Sequence, residues 1–447
     1  MGETLQGSAT MPQPQPLSAS HIGSFAYLTV KDRLPVILTR VVDYLYREKD
    51  SLGNNYGKAA REDCKKVIGR CSQLKNEMQT NKDLLPLQAH PDPSYPYDDA
   101  NIWNRYLENY IRVTGVAPKW FTAPWLYVEC YMYTRIHESL YLCNVLKDFD
   151  PFMDQKRNAL IDSKEAIEAL AVHVLSLCGR ISTFSQEQLK QHVIKLIEIS
   201  LWGNRCDLSI SGGADKSQDS DVLLLLDKLQ SKILVNNSES LWQLLVALPE
   251  DQRDIVLVLD NAGFELVTDL CLLAFLTEAG FVTSLTVHPK IRPWFVSDTT
   301  HSDLTWTIEK LRETGGSAGV LASKWQSYIS NGRWKIVNNK FWTLCHDFAD
   351  MKEIDPELYS QLSKSSLIIF KGDLNYRKLT GDLDWPTTTS LEHTLRGFCP
   401  APVLAIRTAK GGPVVGLAPG VSERTAAVTH DWNISGEYGM IQLCTFS

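Results

Sequence analysis

Apolar positions recur every three or four residues through the first two hundred residues of the chain and then give way to short unbroken runs. A helical pattern opens at Ser24, with Pro35 near its first turns and Ile37, Leu38, Val41, Val42 and Leu45 following at helical spacing. Residues 58–79 form a polar, helix-prone stretch. Trp125, Val128, Met132, Ile136 and Leu140 predict a helix over 125–146, and 163–181 and 186–202 predict two more. The second half reads differently. Ile255 to Leu259 is a continuous apolar, β-branched run, the mark of a strand buried on both faces, as in parallel sheets. Ser284–Val287, Ser366–Phe370 and Val403–Arg407 are further strand-like runs, with helical patterns at 265–278, 303–314, 318–330 and 356–364. Such alternation predicts an α/β fold with a doubly wound sheet over 204–447, preceded by a mainly helical region over 24–203. Residues 1–23, rich in Ser, Pro and Gln, read as a disordered tail.

Composition narrows the function. The 447 residues are 44% hydrophobic, enough for a sizeable core, and the net charge of -7 argues against non-specific nucleic-acid binding. No apolar run approaches the ~20 residues of a membrane span, and charge ends the greasiest stretch, Asp221–Asp227, too soon. The N-terminus lacks the apolar core of a secretory signal. Ten cysteines without a CxxC pair suit reduced thiols, so a cytoplasmic or nuclear location is expected.

Polar clusters stand at the ends of successive strand-like runs. Asp260-Asn261 directly follows the buried run, where open α/β sheets gather ligands. A buried Asp there wants a partner, and a divalent cation would serve; an Asx turn or helix cap is the plainer role. Asp298 ends an apolar stretch and is either a third oxygen ligand or the cap of a helix near Ser302. In the segment from Lys371 to Lys378, Asp373 and Asn375 suit sugar hydroxyls, and Arg377 and Lys378 suit phosphate; a solvated turn is the alternative. Lys410 could neutralise charge on a transferring phosphoryl group. Asn204, Asp207 and Ser209 would line the pocket or close a helix at Gly203. His288 and His301 read as surface histidines.

At these residues the chain resembles the metal-dependent damage-control phosphatases, in the subfamily named both sugar phosphate phosphatase and protein-glutamate O-methyltransferase. The match is carried by Ser24–Thr29, Ser200–Asn204, Leu259–Leu266, Pro293–Thr300, Phe370–Lys378 and Arg407-Thr408-Ala409-Lys410, and spans nearly the whole chain from residue 24. The resemblance implies a three-layer α/β/α sheet domain with added N-terminal helices. It implies one divalent cation (manganese, cobalt or nickel) held by Asp260, Asn261 and Asp298, and catalysis through Asp260 and Lys410. Substrate contacts would come from Asp260, Asn261, the segment Asp373, Leu374, Asn375, Tyr376 and Arg377, and Lys410. Implied activities are fructose 1-phosphate hydrolysis and conversion of fructose 6-phosphate into dihydroxyacetone and glyceraldehyde 3-phosphate. The alternative is S-adenosylmethionine-dependent methylation of protein carboxylates, with Glu265 and Asp298 on the cofactor and a protein as substrate. It meets a physical difficulty, since only Gly263 supplies a glycine after the strand. A haloacid-dehalogenase mechanism wants a second acid two residues beyond the first, where Ala262 stands.

Overall fold

Alternate residues of each central strand feed different cores, and this fixes the architecture. The computed structural model describes residues 14–210 and 229–446, with side chains of the helix that ends at 210 described as far as Gly203. Seven strands form one sheet: β1 (Ile233–Asn236), β2 (Asp254–Val258), β3 (Ser284–His288), β4 (Trp334–Ile336), β5 (Leu367–Lys371), β6 (Val403–Thr408) and β7 (Gly439–Cys444), in the order β1-β7-β6-β5-β2-β3-β4. The five from β2 to β6 are mutually parallel; β7 runs antiparallel to β6, with β1 parallel to it. Val256, Val258, Ile368, Phe370, Val403 and Ala405 point into one core, shared with the helices Leu34–Tyr56, Lys58–Gln79 and Trp125–Tyr141. Ile255, Leu257, Ile369, Leu404 and Ile406 point into the other, shared with Lys164–Cys178, Gln186–Ile210, Phe264–Glu278 and Gly316–Ser330. The fold is therefore the expected α/β/α sandwich.

The division of the chain differs from expectation. The helical stretch over 24–203 is not one body, because its early helices cover one sheet face and its last two cover the other. Residues 14–23, read as the end of a disordered tail, are tied down: Pro16 bridges Leu383, Ser18 bridges Pro124, and the Leu17 carbonyl accepts from the Trp125 N–H at 2.7 Å. Residues 1–13 and the apolar run at 221–227 lie outside the described residues. The helix expected from Ser24 starts as a short turn, Phe25–Leu28, capped by the Ser24 hydroxyl. It then passes through a π turn, Thr29–Arg33, and becomes α-helical at Leu34. The segment at 371–378, for which a solvated turn was the alternative reading, forms a helix, Gly372–Thr380. Among the described residues no helix is long and apolar enough to cross a membrane, and the described cysteines are all free.

Candidate active site

The chain runs from β2 outward to β3 and β4, then crosses back to β5 and on to β6. The order thus reverses between β2 and β5, and the crevice beyond their carboxyl ends is where open α/β sheets hold ligands. A cavity of about 270 Å³ lies there, lined among others by Asp260, Asn261, Glu265, Asp298, Asp373 and Lys410. Sequence reasoning named all six.

Asp260 follows β2, and its backbone is pinned: the Thr299 N–H donates to the Asp260 carbonyl at 2.7 Å, and the Ala262 N–H to the Ser297 carbonyl at 2.8 Å. These bonds, with an isolated bridge between Asn261 and Asp298, lay the loop after β3 alongside the loop after β2. Two residues far apart in sequence thereby meet. Phe295 and Val296, at the crest of that loop, both have left-handed backbone (φ 44° and 69°), which a Phe and a β-branched Val adopt only under constraint. Asp298 does not cap the following helix. Thr300 does, in a capping box with Asp303.

The carboxylates crowd one another. Burial, then Glu265 and Asp298, push the Asp260 carboxyl well above the ordinary Asp range. Burial lifts Asp298 to about 6, although the Lys290 ammonium opposes it. Lys290 stands 3.3 Å from Asp298 Oδ2 but gives its hydrogen bond to the Leu259 carbonyl at 2.7 Å, so that buried oxygen has charge nearby and no hydrogen bond. Lys371 offsets the other side. Its ammonium reaches Asp269 Oδ1 at 2.8 Å, the Ser200 carbonyl at 2.6 Å and Glu265 Oε1 at 3.7 Å. Against the cost of burial, Asp269 and Glu265 keep it charged.

Does this donor set suit a cation? Among the described residues no three His, Cys, Asp or Glu side chains form a metal cage, so the carboxylates need a third kind of donor. Asn261 supplies it. Its amide nitrogen bridges Asp260 Oδ2 (2.6 Å) and Glu265 Oε2 (2.9 Å), while Oδ1 accepts from the Ser297 hydroxyl at 2.5 Å. Turning the amide over presents oxygen to the carboxylates, and the Ser297 hydroxyl can bond either end. A hard oxygen set with an under-bonded Asp298 oxygen fits a divalent cation. Gly372 leaves the room: a Cβ there would sit 2.6 Å from Asp260 Oδ1 and closer still to Oδ2.

The segment after β5 departs from the sequence reading. Asp373 faces the pocket, with Oδ1 accepting from the Lys410 N–H at 3.3 Å, and Leu374 lines it. Asn375, Tyr376 and Lys378 turn inward instead. Asn375 donates to the Leu259 and Lys371 carbonyls, and Tyr376 to Gln442 Oε1. Lys378 donates to the Leu344 and Trp342 carbonyls. Helical periodicity explains the split, since Asp373, Leu374 and Arg377 share a face that Asn375, Tyr376 and Lys378 do not. Arg377 lines the pocket but is matched: it forks onto Asp382 (2.8 and 2.9 Å), reaches Glu129 at 2.7 Å and stacks over Trp125. It braces the wall rather than offering free charge to phosphate. Arg377→Lys keeps the charge and loses the fork, so unfolding stability should fall by ~2 kcal/mol in urea titrations; an unchanged midpoint would show the fork to be idle.

Lys410 follows β6, its side chain running past Gly436, and no carboxylate pairs with it among the described residues. The helix containing Gly203 does not stop there; Gly203 lets it approach the Phe264–Glu278 helix, where a Cβ would meet Thr268 and Glu265. The side chains of Asn204, Asp207 and Ser209 lie outside the described residues. His288, read as a surface residue, is buried, donates from Nδ1 to the Val337 carbonyl at 3.0 Å, and is pulled down to about 4 by burial. Sequence reasoning missed Lys290, Lys371 and Arg33; the lysines carry no spacing signal, because their partners come from other elements.

A family model described as "Damage-control phosphatase ARMT1-like domain" matches residues 29–425. The chain is 43% identical over 444 residues to a protein named Damage-control phosphatase ARMT1 from Danio rerio, covering 97% of each chain. It is 42% identical over 438 residues to the protein of that name from Homo sapiens, covering 96% of this chain and 98% of that one. Among solved structures it is similar to a DUF89 family protein from Pyrococcus horikoshii, with TM-score 0.39 and 15% identity over 77% of this chain and 89% of that one.

Proposed function

This chain belongs to the damage-control phosphatase ARMT1-like domain family, and from that premise we propose that it is a divalent-cation-dependent phosphatase of small phosphorylated metabolites, sugar phosphates above all. One observation carries the reading: the adjacent Asp260 and Asn261 and the distant Asp298 line one cavity together with Lys410, which no carboxylate pairs among the described residues. Asp260, Asn261 and Asp298 would hold manganese, cobalt or nickel, which supplies Lewis acidity at a phosphoryl oxygen and lowers the pKa of a bound water. The chain's own groups do the rest. Lys410 stabilises charge developing on the phosphoryl oxygens. Asp373, fixed by the Lys410 N–H and the neighbouring Arg407, offers carboxylate oxygens to sugar hydroxyls. Phe25, Trp125 and Phe295 wall the cavity and restrict water.

Carboxyl methyl transfer gains no support from the geometry. The turn after β2 holds a single glycine, Gly263, and Glu265 is engaged by Asn261 and Lys371. The deciding assay is phosphate release from a panel including fructose 1-phosphate and fructose 6-phosphate, each with manganese, cobalt and nickel. Lys410→Ala should release phosphate on the order of 10²-fold more slowly at saturating cation. Parental turnover in that variant would remove Lys410 from the mechanism.

A further inference from the structure

The basic groups around the pocket are nearly all spoken for. Arg377 is matched by Glu129 and Asp382, and Lys371 by Asp269 and Glu265. Arg407 stands 3.5 Å from Asp373 and donates to the Pro413 carbonyl. Lys290 faces Asp298. Lys410 has its role at the transferring phosphoryl group. Arg33 is left over. It lines the cavity, its side chain is exposed, and no carboxylate pairs with it among the described residues.

Its placement is built rather than incidental. The turn Thr29–Arg33 is π-helical, and such turns hold one residue more than an α turn and gather at functional sites. Thr29, Val30 and Leu34 are buried, so the extra residue brings Arg33 out of the apolar stripe to the pocket mouth. The turn before it is fixed by the Ser24 cap and by Phe25 packed edge-on against Trp125 at 5.7 Å. Arg33 reaches the cavity from the N-terminal helices, whereas Lys410 reaches it from the loop after β6. Phe295 of the loop after β3, which stacks on Tyr133, lines the same cavity. Among the described residues, Arg33 and Lys410 thus bring cations without a carboxylate partner to the Asp260 crevice from different parts of the chain.

We propose that Arg33 is a specificity-determining residue that engages a second anionic group on the substrate, away from the scissile phosphate. The preferred class would then be sugars carrying a phosphate and a further phosphate or carboxylate. This rests on the phosphatase reading above. A planar guanidinium without an internal partner binds either anion through paired hydrogen bonds, and burying it unmatched beneath a neutral sugar end would waste its charge.

The test uses hydrolysis-resistant phosphonates, in which a methylene replaces the scissile ester oxygen of a hexose 1-phosphate. Three forms are titrated calorimetrically in manganese: with a free 6-hydroxyl, with a 6-phosphate and with a 6-carboxylate. The parent should bind at least one dianionic form ~10- to 100-fold more tightly than the 6-hydroxyl form. Arg33→Gln should erase that preference while leaving 6-hydroxyl binding and the melting temperature unchanged, and Arg33→Lys should restore part of it. Which form is preferred identifies the second anion. No preference in the parent, or one that survives in Arg33→Gln, overturns the proposal. Because binding is read without turnover, a parent that releases no phosphate yet shows the preference counts against the phosphatase reading alone.

Discussion

Asp260→Asn should release phosphate at least ~10³-fold more slowly than the parent, yet its metal-free melting temperature should hold or rise. Both halves come from one fact. Asp260 is buried beside Glu265 and Asp298, and its carboxyl is held well above the ordinary range. An acid whose folded pKa exceeds its unfolded value, ~4, binds its proton more tightly in the folded state. Its ionisation therefore costs stability, starting as pH rises past ~4 and complete only above the raised folded value. Asp298, lifted to about 6, adds a similar loss between ~4 and 6. Asn at 260 removes the larger penalty and keeps an oxygen of similar shape. Melts in chelator at pH 5 and pH 8 should show the parent losing stability with pH, and the variant losing less. Manganese should raise the parent's melting temperature by mass action and leave the variant's almost unmoved. A variant that melts lower at both pH values and still responds to manganese would mean that Asp260 is a structural residue.

How far this site could be read in the sequence depended on where each residue's partner lies. The run Ile255–Leu259 announces a strand buried on both faces, and this alone puts Asp260 and Asn261 at a crevice. Asp298 stood out for the same reason. Its meeting with Asn261 was not legible from spacing, because it depends on backbone bonds between two loops. Three strands carry no clear signal: the edge strand β4 is three residues long, the edge strand β1 is only half-buried, and β7, paired between β1 and β6, comes after a long irregular stretch. None carries the unbroken apolar run of β2. The stretch from Gly372 to Lys378 misleads because its polar side chains read as ligand contacts, whereas only the side chains of Asp373, Leu374 and Arg377 line the pocket. The charges there serve buried partners, Glu129 and Asp382 for Arg377 and two carbonyls for Lys378, that no local pattern reveals. Arg33 was hidden because a helical pattern opening at Ser24 gives no hint of a π turn inside it.

Gly372→Ala should cost more than a methyl added at the other described turn glycines, and the comparison with Gly57→Ala separates the reasons. Both glycines have left-handed backbone, φ 85° at Gly372 and 91° at Gly57, so both substitutions add strain of ~1–2 kcal/mol. At Gly57 nothing lies within 4 Å of the added carbon, and strain should be the whole effect. At Gly372 the carbon falls against both oxygens of Asp260, which is 7% exposed and pinned through its carbonyl to Thr299. The carboxylate cannot swing toward Glu265 or Asp298 without worsening like-charge repulsion, so β5 and β2 must part or Asp260 must leave its place. A displacement of this size commonly costs ~10²-fold in rate or more, beyond the stability shared with the control. Gly57→Ala should therefore unfold more easily but release phosphate at the parental rate and bind manganese normally. Gly372→Ala should lose stability, turnover and the manganese-induced rise in melting temperature together. If its losses matched those of Gly57→Ala, the close approach of the β5 turn to Asp260 would have no part in forming the site.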